Sequence, residues 1–150
     1  MASDGAVTDV LPFLWNVTKH VGWGRANNLT DVMLVQFFLA QYARDPTNDF
    51  RPTNEILVPD GIFGPITHSW IKAFQKTNWG CYPDGKVDHV DGSHEYMSNH
   101  DRRYTIIALN LAYWNSYRHF VGDIRMDPKC PNVLANVLTP VIYQPDFEVY

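Results

Sequence analysis

The residues best equipped for chemistry crowd into one polar stretch, His89, Asp91, His94, Glu95, His100 and Asp101. Imidazole with carboxylate is the donor set that suits zinc. The stretch has no H-E-x-x-H spacing and no periodic segment to hold three ligands rigidly, and polar loops collect His and Asp simply because they are solvated. No metal site is expected. Hydrolysis of sugars would need two carboxyl groups facing each other across a cleft, one with a raised pKa. The glutamates are Glu55, Glu95 and Glu148, and none is framed by a catalytic pattern. Ser3, Ser69, Ser93, Ser98 and Ser116 lack a nucleophile-elbow sequence. Cys81 and Cys130 form no C-x-x-C pair, so thioredoxin-like and zinc-ribbon chemistry has no support. A bridge between them would add about 4 kcal/mol in the chain-entropy model, and two free thiols suit the sequence equally well. No enzyme activity, cofactor or metal is expected.

Two smaller groupings carry charge. Gly22-Trp23-Gly24-Arg25 is a flexible turn bearing one aromatic and one guanidinium, a contact for a carboxylate or another protein, and equally a linker. Arg102-Arg103 is read at the opening of a helix, where cations oppose the dipole, so these side chains are expected to answer acidic neighbours or a ligand carboxylate.

A chain of 150 residues suits a single domain that buries a proper core. Hydrophobic residues at 45% and charged ones at 19% are ordinary globular usage, and the high aromatic share of 14% argues against disorder over most of the chain. With 12 basic and 16 acidic residues the net charge is −4, so no overall positive field exists to hold nucleic acid or anionic lipid. Charges or Gly, Pro and Asn interrupt every hydrophobic run, which excludes a membrane span. Asp4 and Asp9 stand where a secretory signal would carry Lys or Arg, and the apolar patch from Val10 to Trp15 is broken by Pro12. Synthesis in the cytoplasm without a Sec-type signal is the expectation.

Three helices must position whatever binds. The first runs from Leu29 to Arg44, with Val32, Val35, Leu39 and Tyr42 on one face, Thr30 or Asn28 as cap, Asp31 in the first turn and Asp45-Pro46 as the stop. The second starts at Pro65, with Ile66, Trp70, Ala73 or Phe74 and Thr77 on its face and Gly80 ending it. Gly80 to Arg103 reads as a long loop with one extended stretch at Lys86 to Val90, and long irregular loops tend to be functional or mobile. The third helix is placed from about Arg102 to Phe120, with Ile107, Leu111 and Trp114 on one stripe and Asp101 or Asn99 as cap. Four later prolines confine regular structure to a helical turn at Val133 to Leu138 and an extended Val141 to Tyr143.

Between the first two helices lies the most informative stretch, Asp60-Gly61-Ile62-Phe63-Gly64-Pro65-Ile66-Thr67. Gly61 and Gly64 can take the positive φ that a tight turn demands, Phe63 is expected in the core as a plug, and Asp60 can accept backbone N–H groups of the turn. This D-G-x-F-G-x-x-T succession, continued by Trp70-Ile71 and Phe74-Gln75, resembles the peptidoglycan-binding domain of the three-helix type found beside cell-wall hydrolases. Val35-Gln36 and Leu39 are similar to that family's L-Q-x-x-L signature, and Asp84-Gly85-Lys86-Val87 to its second D-G-x-V turn. The matched elements cover roughly Asn28 to Phe120. Trp70 departs from the small residue usual in the family, and the inserted Asp88 to Arg103 departs from its direct entry into helix three.

The resemblance implies an all-α fold, a three-helix orthogonal bundle over residues 28–120; residues before Gly22 and after Gly122 have no counterpart in it, and the chain is read with an added N-terminal arm at 1–27 and a C-terminal arm at 121–150 packed on the body. It implies non-catalytic binding of peptidoglycan, targeting a partner enzyme or larger assembly to the wall, with Asp60, Thr67, Trp70, Trp79, Tyr82 and Asp84 nearest the ligand. Trp114 and Phe74 are assigned to the core. The working site would be the periplasm or cell wall, reached by a non-Sec route. A structural or adaptor subunit of a phage-tail-like or secretion assembly, gripping protein partners through its arms, is the alternative. A small zinc-dependent wall hydrolase using the His/Asp loop is the third reading.

Overall fold

The computed structural model describes residues 14–78, 80–90, 97–98, 102–120 and 122–140. Those residues form an all-α protein with four helices: α1 (Leu29–Arg44), α2 (Pro65–Thr77), α3 (Thr105–Ser116) and the short α4 (Asn132–Val137). The one sheet among them is a two-residue antiparallel pair, β1 (Met97–Ser98) with β2 (Arg102–Arg103). None of the helices is long and apolar enough to cross a membrane.

Helix α1 is the axis of the core. Its bounds coincide with those read from the sequence, but its burial does not follow one stripe. Val32, Val35 and Leu39 are buried as expected, and so are Met33, Leu34, Phe37, Phe38 and Ala40 on the other faces. A helix apolar all round must be covered all round, and α1 is covered by α3, α4 and α2. Asn28 occupies the cap position without a side-chain bond. Asp31 is buried and takes a larger task than complementing the dipole. Its carboxylate accepts from Thr18 N (2.8 Å), Thr18 Oγ1 (2.8 Å) and Lys19 N (3.0 Å), which ties the preceding segment to the helix.

That segment belongs to the core. Leu14, Trp15, Val17 and Val21 are buried within it. Asn110, buried in the middle of α3, receives Trp15 N on its Oδ1 at 2.8 Å and donates its Nδ2 to Trp15 O at 3.1 Å, while Trp15 Nε1 donates to Gly122 O. The C-terminal segment is fixed in a similar way. Buried Asp127 accepts from Gln41 Nε2 and Tyr113 Oη, both at 2.8 Å, and from Lys129 N at 2.8 Å. Ile124, Cys130 and Leu134 complete the packing, so the core runs across both boundaries drawn at 27 and 121.

Several details of the helices differ from the sequence reading. Ile66 is exposed, and the buried arc of α2 is Thr67, Trp70, Ile71, Phe74 and Gln75. Helix α3 starts at Thr105 with Tyr104 at its cap position, because Arg102-Arg103 are drawn into the pairing with β1. It ends at Ser116, and a separate 3-10 turn follows at Arg118–Phe120. Its buried residues include Ile106, Ile107, Leu109 and Tyr113, with Leu111 and Trp114 only half-buried.

Cys81 and Cys130 are both free thiols. Burial first, then the charges of Asp127 and Asp123, pushes the Cys130 thiol up to about 11. The thiol of the unfolded chain ionises near 9.0. Its contribution to stability is therefore complete below that pH and is lost as the pH rises through about 11. Cys130→Ala is expected to flatten the fall of the urea midpoint over this window relative to the parent protein. Identical profiles would contradict the burial argument.

Candidate functional site

The turns at Asp60-Gly61 and Asp84-Gly85 are built by the same device. Gln36, buried in α1, accepts Gly61 N on Oε1 at 2.8 Å, and its Nε2 donates to Thr67 Oγ1 (2.9 Å), Ile62 O (3.0 Å) and Asp60 Oδ1 (3.2 Å). Gln75, buried in α2, accepts Gly85 N at 2.8 Å and donates to Lys86 O (2.9 Å), Thr105 Oγ1 (3.0 Å) and Asp84 Oδ1 (3.2 Å). Each Asp also receives the N–H two residues on: Ile62 N on Asp60 and Lys86 N on Asp84, both at 2.9 Å. Each helix thus pins the turn that leads into the next helix and the first turn of that helix. A primary carboxamide suits the task because one side-chain end offers an acceptor and two donors.

Glycine is required at both turns. Gly61 has φ +81° and Gly85 φ +75°, where an L side chain is strained. A Cβ at Gly61 would meet Leu29 Cγ at 2.7 Å, and one at Gly85 would run into the His68 ring. Gly64 departs from expectation: its φ of −158° is ordinary extended backbone at the cap of α2. Phe63 is half-buried at the margin of the core, where its ring meets Trp23 edge-on at 4.9 Å and lies 6.4 Å from His68.

A cleft opens beside each turn. The first, of about 340 Å³, is walled by Ile56, Leu57, Val58, Ile62 and Ile66, with Glu55 and Asp60 also on its lining. Val58, Ile62 and Ile66 are 66%, 68% and 60% exposed, so their apolar surface faces solvent rather than the core. The second, of about 220 Å³, is lined by Tyr82, Asp84, Lys86, Asp88, Arg103 and Tyr104. It sets two carboxylates and two cations beside two phenol rings. Asp88 Oδ1 lies 3.4 Å from His20 Nδ1, and that nitrogen accepts His89 N at 3.0 Å.

Of the residues singled out from the sequence, Asp60 and Tyr82 with Asp84 line the two clefts from exposed positions. Thr67 touches the first cleft but is buried, with its hydroxyl committed to Gln36. Trp70 cannot touch a ligand. It is fully buried, packs edge-on against Phe50 at 5.5 Å and donates Nε1 to Thr53 Oγ1. A helix end does not expose an aromatic that lies on the buried arc. Trp79 lies outside the described residues, as do Asp91, His94, Glu95, His100 and Asp101. His89 is described, and its Nδ1 hydrogen-bonds Val17 O at 2.6 Å. Among the described residues no three His, Cys, Asp or Glu side chains converge to hold a metal ion.

Sequence reasoning missed Ile62, Ile66 and Lys86 as cleft residues, and missed Gln36 and Gln75 as the pins; Arg103, expected to answer acidic neighbours or a ligand carboxylate, lines the second cleft beside Asp84 and Asp88. The repeated Gln, Asp-Gly and Thr were visible as residue types. Comparison with protein-family models, with curated proteins and with solved structures finds no match.

Proposed function

We propose that this chain is a non-catalytic module that binds cell-wall peptidoglycan, with α1, α2 and α3 arranged as in the three-helix peptidoglycan-binding fold that its motifs resemble. The observation that carries the reading is the pair of clefts seated on two copies of one glutamine-pinned Asp-Gly turn. Rigidly held turns keep cleft walls in place before a ligand arrives, which lowers the cost of ordering them on binding. The two clefts differ in chemistry. The apolar one suits methyl-bearing peptide side chains, and the mixed-charge one suits a peptide that carries both carboxylate and ammonium groups. The ligand-facing set is accordingly Asp60, Ile62 and Ile66 at the first turn and Tyr82, Asp84 and Arg103 at the second. Its working place on this reading is the periplasm or the wall.

Co-sedimentation with insoluble sacculi tests it. Tyr82→Ala and Ile62→Ser change residues that are 57% and 68% exposed, so the fold should survive both. Each is expected to weaken retention about tenfold, the equivalent of one good contact. Protein left wholly in the supernatant, or retention unchanged in both variants, would overturn the proposal.

One observation favours the adaptor reading. Val133 and Val137, one helical turn apart on α4, are each 56% exposed, and Met126 nearby in sequence is 64% exposed. An apolar edge of this kind suits a protein partner. Truncating either arm would cut core residues such as Trp15 or Leu134, so surface substitution is the cleaner test. Loss of a co-purifying partner in Val133→Ser with Val137→Ser, with sacculus binding absent, would favour the adaptor.

A further inference from the structure

Trp23 occupies the turn Gly22 to Arg25 and is 50% exposed. The turn is held from several sides. Gly22 N donates to Asn27 Oδ1 and Asn27 Nδ2 returns to Gly22 O, both at 2.8 Å, and Arg25 N closes on Gly22 O at 3.1 Å. Gly22 and Gly24 take φ of +144° and +73°, and Asn27 itself takes φ +51°. Immediately before the turn, Val21 and Val87 exchange backbone hydrogen bonds of 2.9 and 2.8 Å, which fastens it to the second Asp-Gly turn. The indole is buttressed by Phe63 edge-on at 4.9 Å and by the tilted His68 ring at 5.7 Å.

This aromatic group adjoins residues of both Asp-Gly turns. Phe63 stands between Ile62 and Gly64, which line the apolar cleft, and His68 lies against Gly85, between the Asp84 and Lys86 of the charged cleft. Trp23 itself lines neither cleft. Side chains of a ligand peptide are taken up by concavities. A flat, half-exposed indole fixed outside the concavities matches a flat ligand ring with C–H groups on its face. The stem of Lys86 abuts Gly22, and that of Lys72 abuts Gly85.

We infer that Trp23 is a stacking platform for a pyranose ring of a glycan. Its source as wall glycan rests on the reading above; the stacking chemistry does not. The immobilised ring needs no ordering of a loop on binding, so its contact is retained as affinity.

The test titrates the soluble β-1,4-linked hexamer of N-acetylglucosamine into the full chain and follows the indole N–H resonances, that of Trp23 being assigned from its absence in Trp23→Tyr. The Trp23 resonance is expected to move on titration. Trp23→Ala is expected to weaken hexamer binding about tenfold, and Trp23→Tyr, which keeps a flat ring, less than about threefold. A hexamer that fails to bind, a Trp23 resonance that stays still, or a folded Trp23→Ala with unchanged affinity would overturn the inference. Sacculus retention without hexamer binding sinks the platform alone, whereas Trp23-dependent hexamer binding without sacculus retention sinks only the wall reading.

Discussion

Gln75→Leu is expected to lower the free energy of unfolding by about 3 to 5 kcal/mol, read as a large drop in the urea midpoint. Leucine of similar size fills the space but leaves Gly85 N, Lys86 O and the Thr105 hydroxyl without their partner. Each buried polar group so stranded costs about 1 to 3 kcal/mol. Gln36→Leu strands Gly61 N, Ile62 O and the Thr67 hydroxyl, and the same magnitude is expected. Hydrogen exchange separates the two. The Gly61 amide should lose protection in Gln36→Leu, and the Gly85 amide in Gln75→Leu, each before the distant turn responds. A change below about 0.5 kcal/mol in either variant, the range of ordinary surface substitutions, would show that the glutamines do not pin the turns.

Trp70→Ala carries the second large effect, a loss of about 3 to 5 kcal/mol, the usual cost of emptying a buried tryptophan site. The indole is fully buried against Phe50, and its removal also leaves Thr53 Oγ1 without a donor. Trp70→Phe keeps most of the ring volume and should remain folded at a smaller cost. Because the indole reaches no cleft, a folded Trp70→Phe is expected to sediment with sacculi as the parent does. Lost retention with an unchanged urea midpoint would return Trp70 to the ligand surface and overturn its place in the core.

Much of the helical scaffold was legible. The span Leu29 to Arg44, the start of α2 at Pro65 and the positive φ of Gly61 follow from neighbours in the chain: an apolar run bounded by Asp45-Pro46, a proline suited to the first helical position, and a glycine where a tight turn is needed. The exposure of Ile66 was not legible, and the cause is specific. A scan for apolar recurrence joins Ile66 to Trp70 and Phe74, but the arc that α2 buries includes Thr67 and Gln75. Thr67 is held inward by its hydrogen bond to Gln36, and Gln75 by its own bonds to the second turn and Thr105, and hydrophobicity marks neither. The start of α3 was misplaced for a related reason, since Arg102-Arg103 pair with residues that no local helical signal takes into account.

The duplicated device shows where the division falls. From Gln to Thr the two copies span 31 and 30 positions, but from Gln to Gly they span 25 and 10. The glycine slides along the connection, so no fixed period reveals the repeat, although every residue of it stands in the sequence. Helical class, turn positions and the need for glycine are consequences of backbone sterics and local order, which each short stretch of chain carries within itself. Which carboxamide satisfies which turn, that Trp70 lies inside and Ile62 outside, and that Trp23 packs against Phe63 and His68 were decided only by tertiary structure. Buried hydrogen-bonding groups must find partners, and they find them by proximity in space, across separations the chain does not announce.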